Sequence, residues 1–374
     1  MFRRRRRRER FYLIGVPGYP NFGDDAIARG WLRWLAKHRP DAEVFVDTHS
    51  PSGAAALHHD CHPRVVFVDT LHRLAGWERS GTPQERVEAT ELLLDDLSMN
   101  PRWVAGVEAF HAADRVHLMG GGYLTGAAPI FSGLVGAARW AHRRRGARVA
   151  ATGLGMMPMS DELAALWRES ADAFEVLTVR DEPTREALGQ LAELAPDDIF
   201  LGGLDQHVAP PAPGPETIVL AQGDGHDDFD VLTEQVARLL EAWDVTDRLR
   251  FVEANPPVDH RIYAALQERW PAATFLPFSN VMREGLPVGP HQQWITTRYH
   301  PHLLAAAHGA RGVALSVSED YYDVKHAAVQ AWGSAWPVLG LSDDPVAPGS
   351  AGTLATRAPE HTKRLERIAA RIYR

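Results

Sequence analysis

The stretch Thr296-Thr297-Arg298-Tyr299-His300-Pro301-His302 follows a short apolar run, Trp294 and Ile295, and precedes an alanine-rich helical segment, Leu303 to His308. A strand that ends in Arg-x-His and passes straight into a helix sets a fixed cation and a titratable imidazole at a helix N-terminus. Backbone N–H groups and the helix dipole add to the positive potential there. Such a place binds an anion and carries a group that can move a proton. The structural alternative is that Arg298 pairs with a nearby carboxylate and His300 caps the helix.

Other segments offer complementary chemistry. Gly15-Val16-Pro17-Gly18-Tyr19-Pro20-Asn21-Phe22-Gly23-Asp24-Asp25 is a glycine-containing loop between a strand and a helix. It lacks the G-x-G-x-x-G spacing of a dinucleotide site and the Gly-Lys-Ser/Thr of a phosphate loop. Two aspartates at a helix start repel phosphate and suit hydroxyl groups or general-base work. Their structural reading is Asp24 as N-cap with Asp25 in the first turn. Gly120-Gly121-Gly122-Tyr123-Leu124 follows another strand, and its glycines let backbone N–H groups approach a ligand or simply make a tight turn. Gly153-x-Gly155 repeats the theme weakly. Arg180, in Val179-Arg180-Asp181, ends a strand and points to a cleft, or pairs with Asp181 or Asp205. Asp205 lies just before a proline-rich linker, where it would face a second domain. Lys325, at the start of a helix, aims an ammonium at the anion of Arg298 or pairs with Glu319 or Asp323. His58-His59-Asp60-Cys61-His62 reads as a polar loop, because consecutive residues cannot all face one ion and no C-x-x-C partner exists. No metal site is expected.

The elements that must position these groups alternate nearly end to end. Strand-like runs fall at Arg10–Val16, Glu43–Asp47, Arg64–Asp69, Arg115–Met119, Ala147–Thr152 and Glu175–Val179, then at Thr217–Ala221, Leu249–Glu253, Ala273–Pro277, Trp294–Thr297 and Gly312–Val317. Helical patterns lie between them, which predicts parallel sheets with helices on both faces. The stiff segment Ala209-Pro210-Pro211-Ala212-Pro213-Gly214-Pro215 divides the 374 residues into domains 1–209 and 210–374. Pro359–Tyr373 reads as a last helix that packs back on the junction.

Bulk properties narrow the class. A net charge of −8 argues against a general nucleic-acid binder. One cysteine, Cys61, rules out an intrachain disulfide framework. No apolar run approaches the roughly 20 residues of a membrane span, and Arg3 to Arg8 lack the apolar core of a signal peptide. A cytoplasmic protein is expected. The arginine run reads as a solvated tail, with peripheral contact to an anionic surface as the alternative.

Taken in order, Asn21-Phe22-Gly23-Asp24, Gly120-Gly121-Gly122-Tyr123-Leu124, Gly153-x-Gly155, Val179-Arg180-Asp181, Asp205, Arg298-Tyr299-His300 and Tyr322-Asp323-Val324-Lys325 resemble the polysaccharide pyruvyl transferase family over about residues 11–335. One departure is Tyr299, where the family usually has leucine; it bears on the acceptor more than on the chemistry. The resemblance implies an α/β chain with two Rossmann-like, doubly wound domains facing across a cleft, as in GT-B-type glycosyltransferases. It implies phosphoenolpyruvate as donor, a sugar or glycoside acceptor, and a pyruvate ketal product. His300 is then the expected proton donor and Asp24 the group that orients or deprotonates the acceptor hydroxyl. Arg298, Arg180, Lys325 and His302 would hold phosphoenolpyruvate. Asn21, Asp25, Gly121, Gly122, Tyr123 and Asp205 would line the acceptor side. No cofactor is expected, and no metal is required, because the cations neutralise the donor. The competing readings are a GT-B-type enzyme that uses a nucleotide-sugar and a non-catalytic carbohydrate-binding protein.

Overall fold

The structure, a computed structural model, describes residues 7–76, 81–223 and 229–374. Arg3–Arg6 of the N-terminal arginine run lie outside these residues. The chain forms two compact units. Unit 1 comprises Met1–Tyr19, Asp24–Gly202 and Arg364–Arg374; unit 2 comprises Pro20–Gly23 and Gly203–Lys363.

In unit 1 the strands are β1 (Arg10–Ile14), β2 (Glu43–Asp47), β3 (Val65–Val68), β4 (Arg115–Leu118), β5 (Arg148–Leu154), β6 (Phe174–Val179) and β7 (Glu193–Leu194). They form one sheet in the order β3-β2-β1-β4-β5-β6-β7, with every pairing parallel. Helices α1 (Phe22–His38), α2 (Pro51–His58), α3 (Thr70–Ala75), α4 (Pro83–Asp95), α5 (Val104–His111), α6 (Ser132–Arg145), α7 (Asp161–Ser170) and α8 (Glu182–Leu188) connect them. Phe11 to Ile14 are wholly buried. This continuous apolar run is what a central parallel strand covered on both faces requires. The order reverses between β1 and β4, and in doubly wound sheets ligands bind beyond the strand ends at that reversal. The loops 15–21 and 119–123 leave the sheet there.

Unit 2 repeats the plan. Strands β8 (Val208–Ala209), β9 (Glu216–Leu220), β10 (Leu249–Val252), β11 (Thr274–Leu276), β12 (Leu286–Pro287), β13 (Gln292–Thr296), β14 (Arg311–Leu315) and β15 (Val338–Leu339) are joined by α9 (Phe229–Ala242), α10 (His260–Leu266), α11 (Phe278–Glu284), α12 (Tyr299–Ala307), α13 (Val324–Trp332) and α14 (Leu354–Ile372). The main sheet runs β11-β10-β9-β13-β14-β15, and its pairings are parallel. Its reversal lies between β9 and β13, so the loop from β13 into α12 emerges at the position where a ligand is expected.

Two boundaries differ from the sequence reading. The units change at Gly202/Gly203 rather than at 209/210, because Val208 and Ala209 pair with Leu286 and Pro287 inside unit 2. The final helix begins at Leu354, with Pro359 inside it. Its last stretch belongs to unit 1, where the buried Tyr373 ring meets Phe11 at 4.9 Å between centroids. Short elements α2, α3, α5 and α11 carried too little periodicity to be read from sequence.

Candidate active site

Unit 2 builds its site on the β13–α12 turn. Thr296 Oγ1 accepts the Arg298 N–H at 3.0 Å, which fixes the turn, and Arg298 is the N-cap of α12. Pro301 falls in the first helical turn, where no N–H is needed. The Arg298 guanidinium donates to Asp259 Oδ1. Asp259 Oδ2 accepts the backbone N–H of Ala254 at 2.9 Å and of Asn255 at 3.0 Å. Burial pushes the Asp259 carboxyl upward, opposed by the Arg298 charge and these donors. Asp259 therefore orients the guanidinium; it was not identified from sequence, since an isolated aspartate after a cis Pro-Pro pair gives no periodic signal.

The segment Pro20–Gly23 completes this region. Phe22 N donates to Ala254 O at 3.0 Å, and Asn21 Oδ1 accepts the Gly23 N–H at 3.2 Å, a local turn. Gly23 lies flat against the His300 ring: a Cβ at residue 23 would stand 1.8 Å from His300 Nδ1. Only glycine fits, and the Asn-Phe-Gly motif thereby sets the position of the imidazole. His300 is 9% exposed and packs edge-on against Tyr299, ring centroids 4.9 Å apart. Asn21 acts here on the backbone of its own turn. Asp24 is half-buried and follows Gly23 directly.

Lys325 opens α13. Its Nζ lies 3.4 Å from the Tyr321 ring centroid and 5.0 Å from that of Tyr322. The preceding turn, Glu319–Asp323, is π-helical, a local distortion common at functional sites. The aromatic faces hold the ammonium in place.

Several expected ligands have other roles. His302 is fully buried, stacks on Trp336 at 4.8 Å, and its ring nitrogens meet His326 at 3.2 Å and Ser334 at 2.8 Å. Burial and the neighbouring His326 push its pKa well down. It ties α12 to α13 and does not face a ligand. Asp205 is exposed and meets His308 Nε2 at 3.3 Å. His308 is the C-cap of α12, so Asp205 sits at the far end of that helix, about 15 Å of rise from Arg298.

In unit 1, Arg180 is 3% exposed and donates to Asp197 Oδ2 at 2.7 Å. Gly155 is packed closely against it: a Cβ there would stand 2.7 Å from Arg180 Nε. Arg180 is thus an internal strut rather than a donor-anion ligand. Asp25 is wholly buried; its Oδ1 accepts Gly18 N at 2.8 Å and His58 Nε2 at 2.8 Å, so it shapes the Gly18 turn and cannot reach an acceptor. That bond also explains His58, which belongs to α2 and not to a polar loop. Tyr123 is buried, with its hydroxyl 3.0 Å from Met119 O and 3.2 Å from Ile14 O at the ends of β4 and β1. Burial, then Asp24 and Asp198, raise its pKa well above the usual value. It supports the loop from below instead of contacting a sugar. Gly121 has φ +148° and exchanges backbone bonds with Gly153 and Gly155, so it extends the sheet, and a Cβ there would lie 3.2 Å from Asp24 Oδ1. Gly122 is half-buried in the same loop.

Beneath the glycine loop runs a buried polar chain. Tyr373 OH meets His117 Nδ1 at 2.9 Å, His117 Nε2 meets Thr152 Oγ1 at 2.8 Å, and Thr152 donates to Asp198 Oδ2 at 2.6 Å. Asp198 Oδ2 also accepts Trp31 Nε1 at 2.7 Å and Gly120 N at 2.8 Å. Burial pushes the Asp198 carboxyl up to about 6 and the His117 imidazole down to about 3. Sequence reading missed both residues. Gly153 was the available signal: its φ is +54°, and a Cβ would stand 2.6 Å from Asp198 Oδ1. Among the described residues no cluster of three metal-ligating side chains is present, and no helix is long and apolar enough to cross a membrane.

Solved structures similar to this chain include a Methanocaldococcus jannaschii UDP-GlcNAc 2-epimerase in complex with UDP-GlcNAc and UDP, at 12% identity and a TM-score of 0.54 over 97% of this chain and 99% of that one. An Arabidopsis thaliana protein, UGT89C1, complexed with UDP-L-rhamnose, is similar at 12% identity and a TM-score of 0.52 over 98% and 99%. A putative UDP-N-acetylglucosamine 2-epimerase from Listeria monocytogenes is similar at 11% identity and a TM-score of 0.53 over 96% and 89%. At such identities the likeness shows the GT-B-like fold alone. No curated protein matches the chain. The family model for polysaccharide pyruvyl transferase matches residues 21–319, from the Asn21-Phe22-Gly23 turn through β13, α12 and β14. The chain belongs to the polysaccharide pyruvyl transferase family and is a transferase.

Proposed function

We propose that the enzyme moves the pyruvyl group of phosphoenolpyruvate onto two hydroxyls of a sugar acceptor, forming a cyclic ketal and releasing phosphate. The observation that carries this reading is the seat of His300. The imidazole stands at the start of α12, next to Arg298 and against Gly23, within the segment that the family model matches. Arg298, the N-terminus of α12 and Lys325 supply the positive potential for a donor bearing a phosphate and a carboxylate. The bond to Asp259 orients the Arg298 guanidinium, whose planar fork of N–H donors suits a carboxylate or phosphate.

His300 protonates the methylene carbon of phosphoenolpyruvate, and the C2 centre becomes oxocarbenium-like. The first acceptor hydroxyl adds to C2 and gives up its proton. The C2–O bond to phosphate breaks and phosphate departs. The second hydroxyl closes the ring on C2 and releases its proton. One hydroxyl proton replaces the one that His300 gave to carbon, and the other leaves with phosphate. Asp24, next in the chain to Gly23, is the group assigned to orient the first hydroxyl.

Two of the fold neighbours were solved with nucleotide-sugar ligands, so donor identity is the test. Phosphoenolpyruvate, and not UDP-sugars, should raise the melting temperature, as a ligand that binds only the folded state does. Stabilisation by a UDP-sugar with none by phosphoenolpyruvate would favour the glycosyltransferase reading.

A further inference from the structure

Four segments that follow strands of the unit 1 sheet carry side chains that the reaction above does not use. Tyr19 follows β1, His49 follows β2, His72 lies in α3 after β3, and Phe131 follows β4. Their rings form a contiguous group. Ring centroids are 4.9 Å apart for Tyr19 and His49, 5.8 Å for His49 and His72, 5.8 Å for His72 and Phe131, and 6.5 Å for His49 and Phe131. Tyr19 is 59% exposed, so its ring is accessible from solvent.

His72 is set like a working imidazole. Asp47, wholly buried, accepts the Tyr12 hydroxyl at 2.7 Å, the backbone N–H of Leu71 at 2.8 Å and that of His72 at 3.2 Å. A carboxylate so surrounded by donors is an acceptor for His72 Nδ1, which lies 2.8 Å from Asp47 Oδ1. Nδ1 therefore carries the proton, and Nε2 presents a lone pair. The His72 side chain is 3% exposed, and Nε2 has no hydrogen-bond partner among the described residues. His49 Nδ1 is likewise buried and without a partner among them. Two buried nitrogens left without partners in one aromatic group are costly unless a ligand supplies them.

The surrounding backbone is locked. Thr48 Oγ1 donates to Pro17 O at 2.6 Å, Ser50 Oγ donates to Gly18 O at 2.9 Å, and Asp25 holds Gly18 N. The loops that carry Tyr19 and His49 are thus fastened to each other before any ligand arrives. The buried Asp25 finds its purpose here.

We infer that Tyr19, His49, His72 and Phe131 form a saccharide subsite for the acceptor, with His72 Nε2 accepting a ring hydroxyl and the aromatic faces taking the C–H face of a pyranose. This rests on the pyruvyl-transfer reading for its purpose but not for its test. The flanking cation Arg73 is exposed and bonded to Asp69, so the group favours a neutral hydroxyl-bearing ring over an anion.

The experiment is saturation-transfer NMR with isothermal titration on the full chain, without phosphoenolpyruvate. The probes are methyl β-galactoside, methyl β-glucoside, methyl α-mannoside and methyl N-acetyl-β-glucosaminide. At least one should bind through its C–H face and shift the His72 Nε2 resonance. Tyr19→Ala, at an exposed residue, and His72→Asn, whose amide keeps a donor toward Asp47, should each weaken that binding about tenfold. No saturation transfer from any probe, or equal affinity in both variants, overturns the proposal. Ketal formation with an unchanged acceptor KM in both variants removes the subsite and leaves the reaction. Glycoside binding that both variants lose, in a protein that forms no ketal, keeps the subsite and removes the reaction.

Discussion

At the scale of residues, His300, Gly23, Arg298 and Asp259 act as one unit. Gly23→Ala places a methyl where the His300 ring stands, and the displaced imidazole should lower kcat on the order of 100-fold. His300→Ala should lower kcat by about 100- to 10,000-fold while acceptor binding, followed by titration calorimetry, survives. Unchanged turnover in either variant would remove His300 from the proton-transfer role. Asp259→Asn leaves Arg298 without its orienting charge and should raise the KM for phosphoenolpyruvate about tenfold, more than it lowers kcat. Arg180→Lys should instead act on stability, since its partner is the internal Asp197. The residue types at this site were legible because Arg-x-His falls between a strand and a helix. Their partners were not. Asp259 and Asp198 reach their places through loops, and no spacing in the chain announces which carboxylate folds against which cation. Asp25, Tyr123, Arg180 and His302 were legible as unusual but not as buried. Nothing local distinguishes a polar group that faces a ligand from one that braces the loop beneath it.

At the scale of elements, the alternation of apolar runs and helical patterns sufficed for the long strands. Buried parallel strands read as unbroken apolar stretches. It failed for α2, α3, α5 and α11, which have eight residues or fewer and are held by tertiary contacts such as Asp47 on α3 and Asp25 on α2. Buried imidazoles that tie elements together make the fold acid-sensitive. Burial lowers His117 from 6.5 to about 3 and His326 from 6.5 to about 4. The unfolded chain takes up these protons below about pH 6.5 and the folded chain does not, so folding stability falls as pH drops through that window. For His326 alone the shift amounts to about 3 kcal/mol. Asp198 opposes this. Its carboxyl is raised from 3.8 to about 6, so the native state keeps a proton that the unfolded state has lost, and this contribution falls as pH rises through that range. The two imidazole windows are wider and should dominate. Urea unfolding should show stability declining from about pH 7 to about pH 4, more steeply in Asp198→Asn. A flat profile would mean that these imidazoles are not buried neutral in solution.

At the scale of the whole molecule, two doubly wound units in one chain were readable from the repeated alternation. The exact path between them was not. The proline-rich segment suggested a division at 210, whereas the short pairing of Val208–Ala209 with Leu286–Pro287 moves it to Gly202/Gly203. Each sheet presents its topological reversal at segments that carry the family's motifs, 119–123 in unit 1 and the β13–α12 turn, with Pro20–Gly23, in unit 2. The measurement that bears most directly on the central claim is mass spectrometry of a glycoside panel incubated with the enzyme and phosphoenolpyruvate, with phosphate followed in parallel. A glycoside that gains one ketal-linked pyruvate for each phosphate released, in wild type and not in His300→Ala, is the predicted result. Phosphate release with no pyruvylated sugar, or glycosyl transfer from a nucleotide-sugar under the same conditions, would contradict it.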